Sequence, residues 1–491
     1  MVATSSNRRQ IAAVLETTLG VTPVTPRMRQ KLAVGESLKY GPTFADSAEM
    51  RSDRMTSDSI LVGLDSSGSM SWEFHYPYPD SAADFDIRSA FYNNWVNTPV
   101  RDNDTVAASV ITSMTTTSLV STAGPAFVIG QLVRTTGFLN PANNTVAKVT
   151  TGGTTGYTAT GAAYAVDAAP IAGARAKVVG MQGASADITA TATGLGCTVL
   201  NFTAMGLAVG QWINIGGSAV GDRFANAANN GNARIIGITA TALTLDNRPT
   251  GWGVDAGAGK TIKVWFGDRI INGVTTISQT IERGDLGMPV PVYQVSPGLV
   301  AAQWAISVKP KQIVTGSTTY MGMSGAQSTV ALDAVVDAAP PAASYPQYAG
   351  SANIGRVAEF GVPLVTPNWA IGFDLTIANN ISPVESLDAV GPQDLVPGEC
   401  LCTGTLNTIF GDASMLARYQ AGVPTSIAIV MQKLNGKVFL TLPRVTLNSD
   451  GNANATAKNQ LINVSFGFRA AIDSALTNSI VSMDRLEYAE N

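Results

Sequence analysis

The sequence predicts a mainly β protein: a sandwich or barrel core with one short flanking α-helix and an inserted pair of small β-modules. Three observations predict it. Charged residues make up only 13% of the 491 residues, against the usual ~25%, so the polar surface must come largely from Thr, Ser, Asn, Gln and backbone. The 48 Gly and 24 Pro punctuate the chain as turns between short strands rather than long helices. Apolar residues also recur with period two in stretch after stretch. At this length a single compact core is too small, and two to four domains are expected.

Residues 1–59 are turn-rich and extended, with scattered charge that includes "MRSDRMTSDS" at 50–59. In "SILVGLDSSGSMSWEFHYPYP" the apolar residues Ile60, Val62, Leu64, Met70, Trp72, Phe74 and Tyr76 are all even-numbered. They predict one core-facing side of a hairpin over 60–76, with "DSSGS" as its tip and Gly68 easing the turn. The next stretch, "DSAADFDIRSAFYNNW", predicts a helix capped by Asp80 or Ser81. Ile87, Phe91 and Trp95 form its buried stripe at i, i+4 and i+8, while Asp84 and Asp86 with Arg88, Asp84 and Arg88 being an i, i+4 pair, read as a solvated face.

From about 105 the chain turns Thr-, Ala- and Gly-rich. "VIGQLVRTTGFLNPANNTVAKVTT" from 128 and "AVGQWINIGGSAVGDRFANAANNGNARIIGITATALTL" from 208 resemble each other, and aligning Gln131 with Gln211 gives a period of 80 residues. Residues 106–266 therefore read as two tandem modules, 106–185 and 186–266, inserted as a removable unit between core segments 1–105 and 267–491. Beyond 267 the alternation returns, with Trp304, Ile306 and Val308 on one face. Residues 335–352, rich in Ala and Pro, read as a flexible excursion. "DASMLARYQAG" reads as a short helix capped by Asp412 and stopped by Gly422. Asn435-Gly436 predicts a tight hairpin turn, and "NQLINVSFGFRA" a last strand around Ile462, Val464, Phe466 and Phe468.

Composition and motifs narrow the function. A net charge of −4 argues against tight nucleic-acid binding, which needs a basic surface. Cys197, Cys400 and Cys402 are too few for a disulfide framework and read as free thiols in a reducing compartment. No secretory signal is visible, and no stretch approaches the ~20 apolar residues of a membrane span; no membrane partner is expected. "GVDAGAGKTIKVW" imitates a phosphate loop, but Val254 stands where its first glycine should be and a strand follows instead of a helix. The one histidine, His75, is placed on a surface strand face and lacks a triad or metal partner. No catalytic residues and no cofactor are expected. One alternative stays open: Asp65, Ser67 and Ser69 have the D-x-S-x-S spacing of the von Willebrand A metal-ion site. On that alternative the chain is a phage or cell-surface adhesion or decoration protein with a cation there.

The order of six short segments carries a family resemblance. "SLKYGPTFADSAEMRSDRM", "GSMSWEFHYPYPDSAADF…W", "QTIERGD…YQVSPGLV", "SVKPKQIVTGSTTYMGM", "KVFLTLPRV" and "NQLINVSFGFRA" resemble tail tube proteins of bacteriophages with long non-contractile tails, the siphovirus type. "LETTLGVTPVTP" is similar to their N-terminal segment. The resemblance covers roughly 10–105 and 267–485, and residues 105–266 depart from it. It implies a tail-tube β-sandwich or barrel, six copies to a ring, and rings stacked into a hollow conduit through which double-stranded DNA passes without being held. It also implies partners among the tape measure, tail terminator and distal tail proteins, assembly in the host cytoplasm and a final place in the virion tail. The charged loop with Arg51, Asp53, Arg54 and Asp58 is the candidate for contacts between stacked rings.

Overall fold

The computed structural model describes residues 6–104, 110–160, 163–338, 345–365, 367–449, 458–459 and 461–490. Its strands form two large sheets and one small ribbon, with every strand pairing antiparallel. That suits a chain whose connections are short turns, because parallel pairing needs long crossovers.

The 17-residue strand Val292–Val308 is the spine of the larger sheet. Its first half pairs with Gln279–Asp285, which in turn carries Arg9–Leu15. Its second half pairs with Thr315–Gly322 on one edge and Ala370–Ala378 on the other. Beyond Thr315–Gly322 lies Ile60–Glu73 and then Lys39–Ala45. Beyond Ala370–Ala378 the order is Leu401–Ile409, Asn463–Ala470, Gly436–Ser449, Thr425–Lys433 and Ile354–Glu359. Alternate residues of these strands, including Trp304, Ile306, Phe373, Leu440, Val464, Phe466 and Phe468, share one core with Phe74, as period-two patterning requires. The fold is mainly β.

Strands between Val100 and Trp265 form the second sheet. Arg175–Gln182 pairs with Lys263–Trp265 at its middle, and outward from that junction the two halves run through matching elements. Side-chain bonds repeat as well. Gln131 Oε1 accepts the Val128 N–H at 2.8 Å and Gln211 Oε1 the Ala208 N–H at 2.9 Å. Asn144 clamps Phe138 through both its amide oxygen and nitrogen, 2.9 Å each, as Asn230 clamps Phe224 at 2.9 and 3.0 Å. Buried Asn143 and Asn229 accept the Ala165 and Gly253 N–H groups.

The two sheets are welded together. Leu132, Val179, Trp212 and Trp265 of the second sheet bury themselves against Ala428, Val430, Phe439 and Leu486 of the first, and the Trp212 indole N–H donates to Thr441 Oγ1 at 2.8 Å. Removal would strip a hydrophobic face from the main sheet, contrary to the expectation of a removable insertion.

Several local expectations need correction. "DSSGS" is no hairpin tip: Ile60–Glu73 is one continuous 14-residue strand. Gly68 lies where the neighbouring chain passes between strands Gly35–Glu36 and Lys39–Ala45. A Cβ there would come within 2.5 Å of Ser37 O, and φ is +150°, so the glycine serves a close backbone approach. Met70, Phe74 and Tyr76 are buried and Trp72 stacks on Trp304 at 5.5 Å, but Ile60 and Val62 are exposed and Leu64 only half-buried.

The helix is Ala82–Phe91, with Ser81 Oγ capping the Asp84 N–H at 3.2 Å and Tyr92 ending it at φ +52°. Ile87, Phe91 and Trp95 are all buried, although Trp95 lies past the helix end. Asp84 and Asp86, expected on a solvated face, are buried in ion pairs. His75 is buried too: its ring stacks on Tyr345 at 4.4 Å, its Nδ1 lies 2.9 Å from Tyr345 O, and burial lowers its pKa. The two-residue turn near 435 is Leu434–Asn435, since Lys433 pairs with Gly436. Within 335–352, Tyr345 and Tyr348 are buried against the core and Asp337 pairs with Arg27 and Arg29; 339–344 lie outside the described residues.

Candidate assembly surface

The main sheet ends on one side in an extended pair of strands. Lys39–Ala45 and the start of Ile60–Glu73 pair from Ala45↔Ile60 to Lys39↔Ser67 as a two-stranded arm. Among the described residues Lys39–Ala45 has no second neighbour, so one edge of backbone donors and acceptors is open. Apolar side chains stand out on both faces: Phe44 is 57% exposed, Ile60 62%, Leu61 47% and Val62 56%. A strand buried on one face alternates; "ILV" does not, and none of its three residues is covered.

The arm ends in residues 46–59, which hold the four charged candidates. Arg51 grips Asp53 bidentately, Nη2 to Oδ2 at 2.5 Å and Nε to Oδ1 at 3.0 Å. The pair is exposed, and the Arg51 side-chain hydrogen bond lowers the Asp53 pKa. Arg54 sits at φ +58°, and neither it nor Asp58 forms an ion pair among the described residues. The ribbon Ser382–Val384 with Asp394–Val396 stands beside the arm base, where Gly391 approaches Leu64. Its tip residue Leu387 is fully exposed.

Asp65 lies on this arm, Ser67 at its base and Ser69 beyond it on the same strand. Asp65 Oδ2 accepts the Thr43 hydroxyl at 2.5 Å, and Ser69 Oγ lies 3.1 Å from Ser37 Oγ. They are spread along a strand rather than gathered at a strand end, and no cluster of three metal-ligating His, Cys, Asp or Glu residues occurs among the described residues. The phosphate-loop imitation likewise runs into strand Lys263–Trp265, and Lys260 Nζ bonds Val220 O at 3.0 Å.

Two buried charge clusters join elements that are remote in sequence. Lys31 Nζ meets Asp86 Oδ1 at 2.5 Å, and the Tyr320 hydroxyl donates to the same oxygen at 2.6 Å. Burial lowers the Lys31 pKa, against the pull of Asp86. The cluster ties Lys31, just past strand Arg29–Gln30, to the helix and to strand Thr315–Gly322. At the seam between sheets, Asp268 receives Lys177 Nζ at 2.5 Å and Arg485 Nε at 2.9 Å, and Arg485 reaches Asp84 at 2.5 Å. Burial opposes ionisation of Asp268, but Lys177 and Arg485 outweigh it and hold the carboxyl down at about 2. The Arg485 guanidinium also lies 4.0 Å from the Trp95 ring centroid.

The opposite end of the same strands carries a groove that sequence patterning did not mark. From the arm base at Ser66↔Gly322, register runs to Glu73↔Thr315, then across to Val308↔Phe373, Ala370↔Thr408 and Ile409↔Asn463. There a groove of about 590 Å³ is lined by Pro310, Ile354, Arg356, Val365 and Trp369, among others. Trp369 is 49% exposed. In the sequence Trp369 stands 13 positions from Arg356, and nothing in its spacing distinguishes it from a core Trp.

The family model for phage tail tube proteins matches residues 214–470, over half of the chain. The chain belongs to the phage tail tube protein family. No curated protein matches it. The match starts in strand Trp212–Ile215 and ends at the last residue of Asn463–Ala470. It thus takes in 214–266, which sequence reading had set apart from the tube pattern. As a tail tube family member the chain is a structural component of the virion tail that assembles with itself and with other tail proteins. No helix among the described residues is long and apolar enough to cross a membrane.

Proposed function

We propose that this tail tube protein forms six-membered rings that stack into the hollow tube of a long non-contractile tail. The observation that carries the reading beyond family membership is the arm: an open edge with apolar residues on both faces is a liability unless another copy covers it. A head-to-tail contact that closes by rotation gives rings, and an axial one extends them. Arg51, Asp53, Arg54 and Asp58 at the arm tip are then contacts between stacked rings. The scarcity of Lys and Arg in the chain supports a bore that lets double-stranded DNA slide without phosphate binding. Tape measure, tail terminator and distal tail proteins are the partners at the tube ends, and assembly takes place in the host cytoplasm.

We read residues 106–185 and 186–266 as two copies of one module between core segments 1–105 and 267–491, placed on the outside of the tube. Native mass measurement over a concentration series tests the ring number. Species at multiples of six chain masses are expected; a ladder built on another multiple contradicts six-fold rings.

A further inference from the structure

We propose that the arm tip of one copy seats in the Trp369 groove at the opposite pole of the next copy. The inference rests on the stacking reading and deepens it by naming the receiving surface. Placement is the first support. The arm and the groove lie at opposite ends of one run of paired strands, so the contact repeats in one direction and builds a column.

Charge is the second. Residues 46–58 contain Asp46, Glu49, Asp53 and Asp58 against Arg51 and Arg54, two carboxylates in excess. The groove is the complement. Arg356 donates to the Asn247 and Gly361 carbonyls at 2.6 and 2.8 Å but forms no ion pair, and its buried Nε has no partner among the described residues. At the same pole Lys309 and Lys311 are exposed, without an ion pair among the described residues. A half-buried guanidinium whose charge no carboxylate of the described residues pairs with favours an incoming carboxylate at its exposed edge.

Apolar matching is the third. Met50 and Met55 at the tip are exposed, as are Val362, Val365 and Trp369 around the groove. Methionine adapts to irregular pockets and packs well on aromatic rings, and a Trp with an Arg is the usual anchor of a protein interface.

The test uses two full-length variants, Met55→Asp in the arm tip and Trp369→Asp in the groove, alone and mixed in equal amounts. Both positions are exposed, and unchanged thermal melts check that the fold survives. Each variant alone should stop at unstacked assemblies. The mixture should reach twice the height, because each variant supplies the half that the other lacks, and sedimenting mass should double on mixing. If either variant stacks like the wild type, or the mixture stays unstacked, the pairing is overturned. Wild-type chain that never stacks overturns the stacking reading itself, whatever the variants do. Cysteine pairs at Met55 and Val365 give an independent check: a disulfide-linked ladder is expected, and its absence in stacked wild-type-like tubes contradicts the contact.

Discussion

Trp212 stacks face to face on Phe439, ring centroids 5.0 Å apart and planes 13° from parallel, across the seam between the two sheets. Both rings are completely buried. The relationship makes the repeat-bearing sheet part of the folded core. Trp212→Ala should therefore destabilise the whole chain by ~3–5 kcal/mol, the range for truncating a buried Trp. Urea unfolding with the remaining Trp fluorescence as probe checks it. A loss confined to one sheet, with the main sheet melting as before, would show that the seam is not cooperative.

Gly68 separates the two readings of "DSSGS". At a hairpin tip Gly68→Ala would be mild, whereas in the continuous strand the added methyl meets the Ser37 carbonyl and Leu38 Cα. A cost of ~1–3 kcal/mol in thermal or denaturant unfolding is expected.

Asp86 neutralises Lys31 where both are buried. Asp86→Ala leaves an ammonium without its counter-charge, and a loss of ~3–5 kcal/mol is expected. Lys31→Met with Asp86→Leu should recover part of that loss, which a double-mutant cycle measures directly.

Asp484 sets a pH dependence. It is fully buried, neither oxygen has a close side-chain hydrogen-bond partner among the described residues, and Arg269 Nε stands 3.8 Å away. Burial, which Arg269, the nearby Trp212 backbone N–H and Arg234 only partly offset, raises its pKa to about 7. A raised carboxyl pKa means the folded state holds a proton that the unfolded chain has released between its ordinary value of about 4 and 7. This group's contribution to stability is complete below that window and falls by about 1.4 kcal/mol per pH unit as pH rises through it. Asp484→Asn should flatten this part of the stability profile and raise the melting temperature above pH 7. Melts from pH 5 to 8.5 check both.

How much was legible follows from what each residue faces. Trp304, Ile306 and Val308 alternate because one side of their strand is core and the other is not, so periodicity located them. Gln131 and Gln211 marked the repeat because each plugs the same turn. Ile60 and Val62 misled because they keep the core's parity after the strand has left the core, and parity carries no information about cover. Asp84 and Asp86 were misplaced because their partners, Arg485 and Lys31, are remote in sequence. The Trp369 groove was invisible for the same reason: Pro310, Arg356 and Trp369 converge only through strand register.

The most direct test of the central claim is negative-stain electron microscopy of the purified full-length protein over a concentration series. Hollow rings with six-fold end views, stacking into tubes as concentration rises, are the expected result. Stacked assemblies with a closed centre or another symmetry would contradict the proposed conduit.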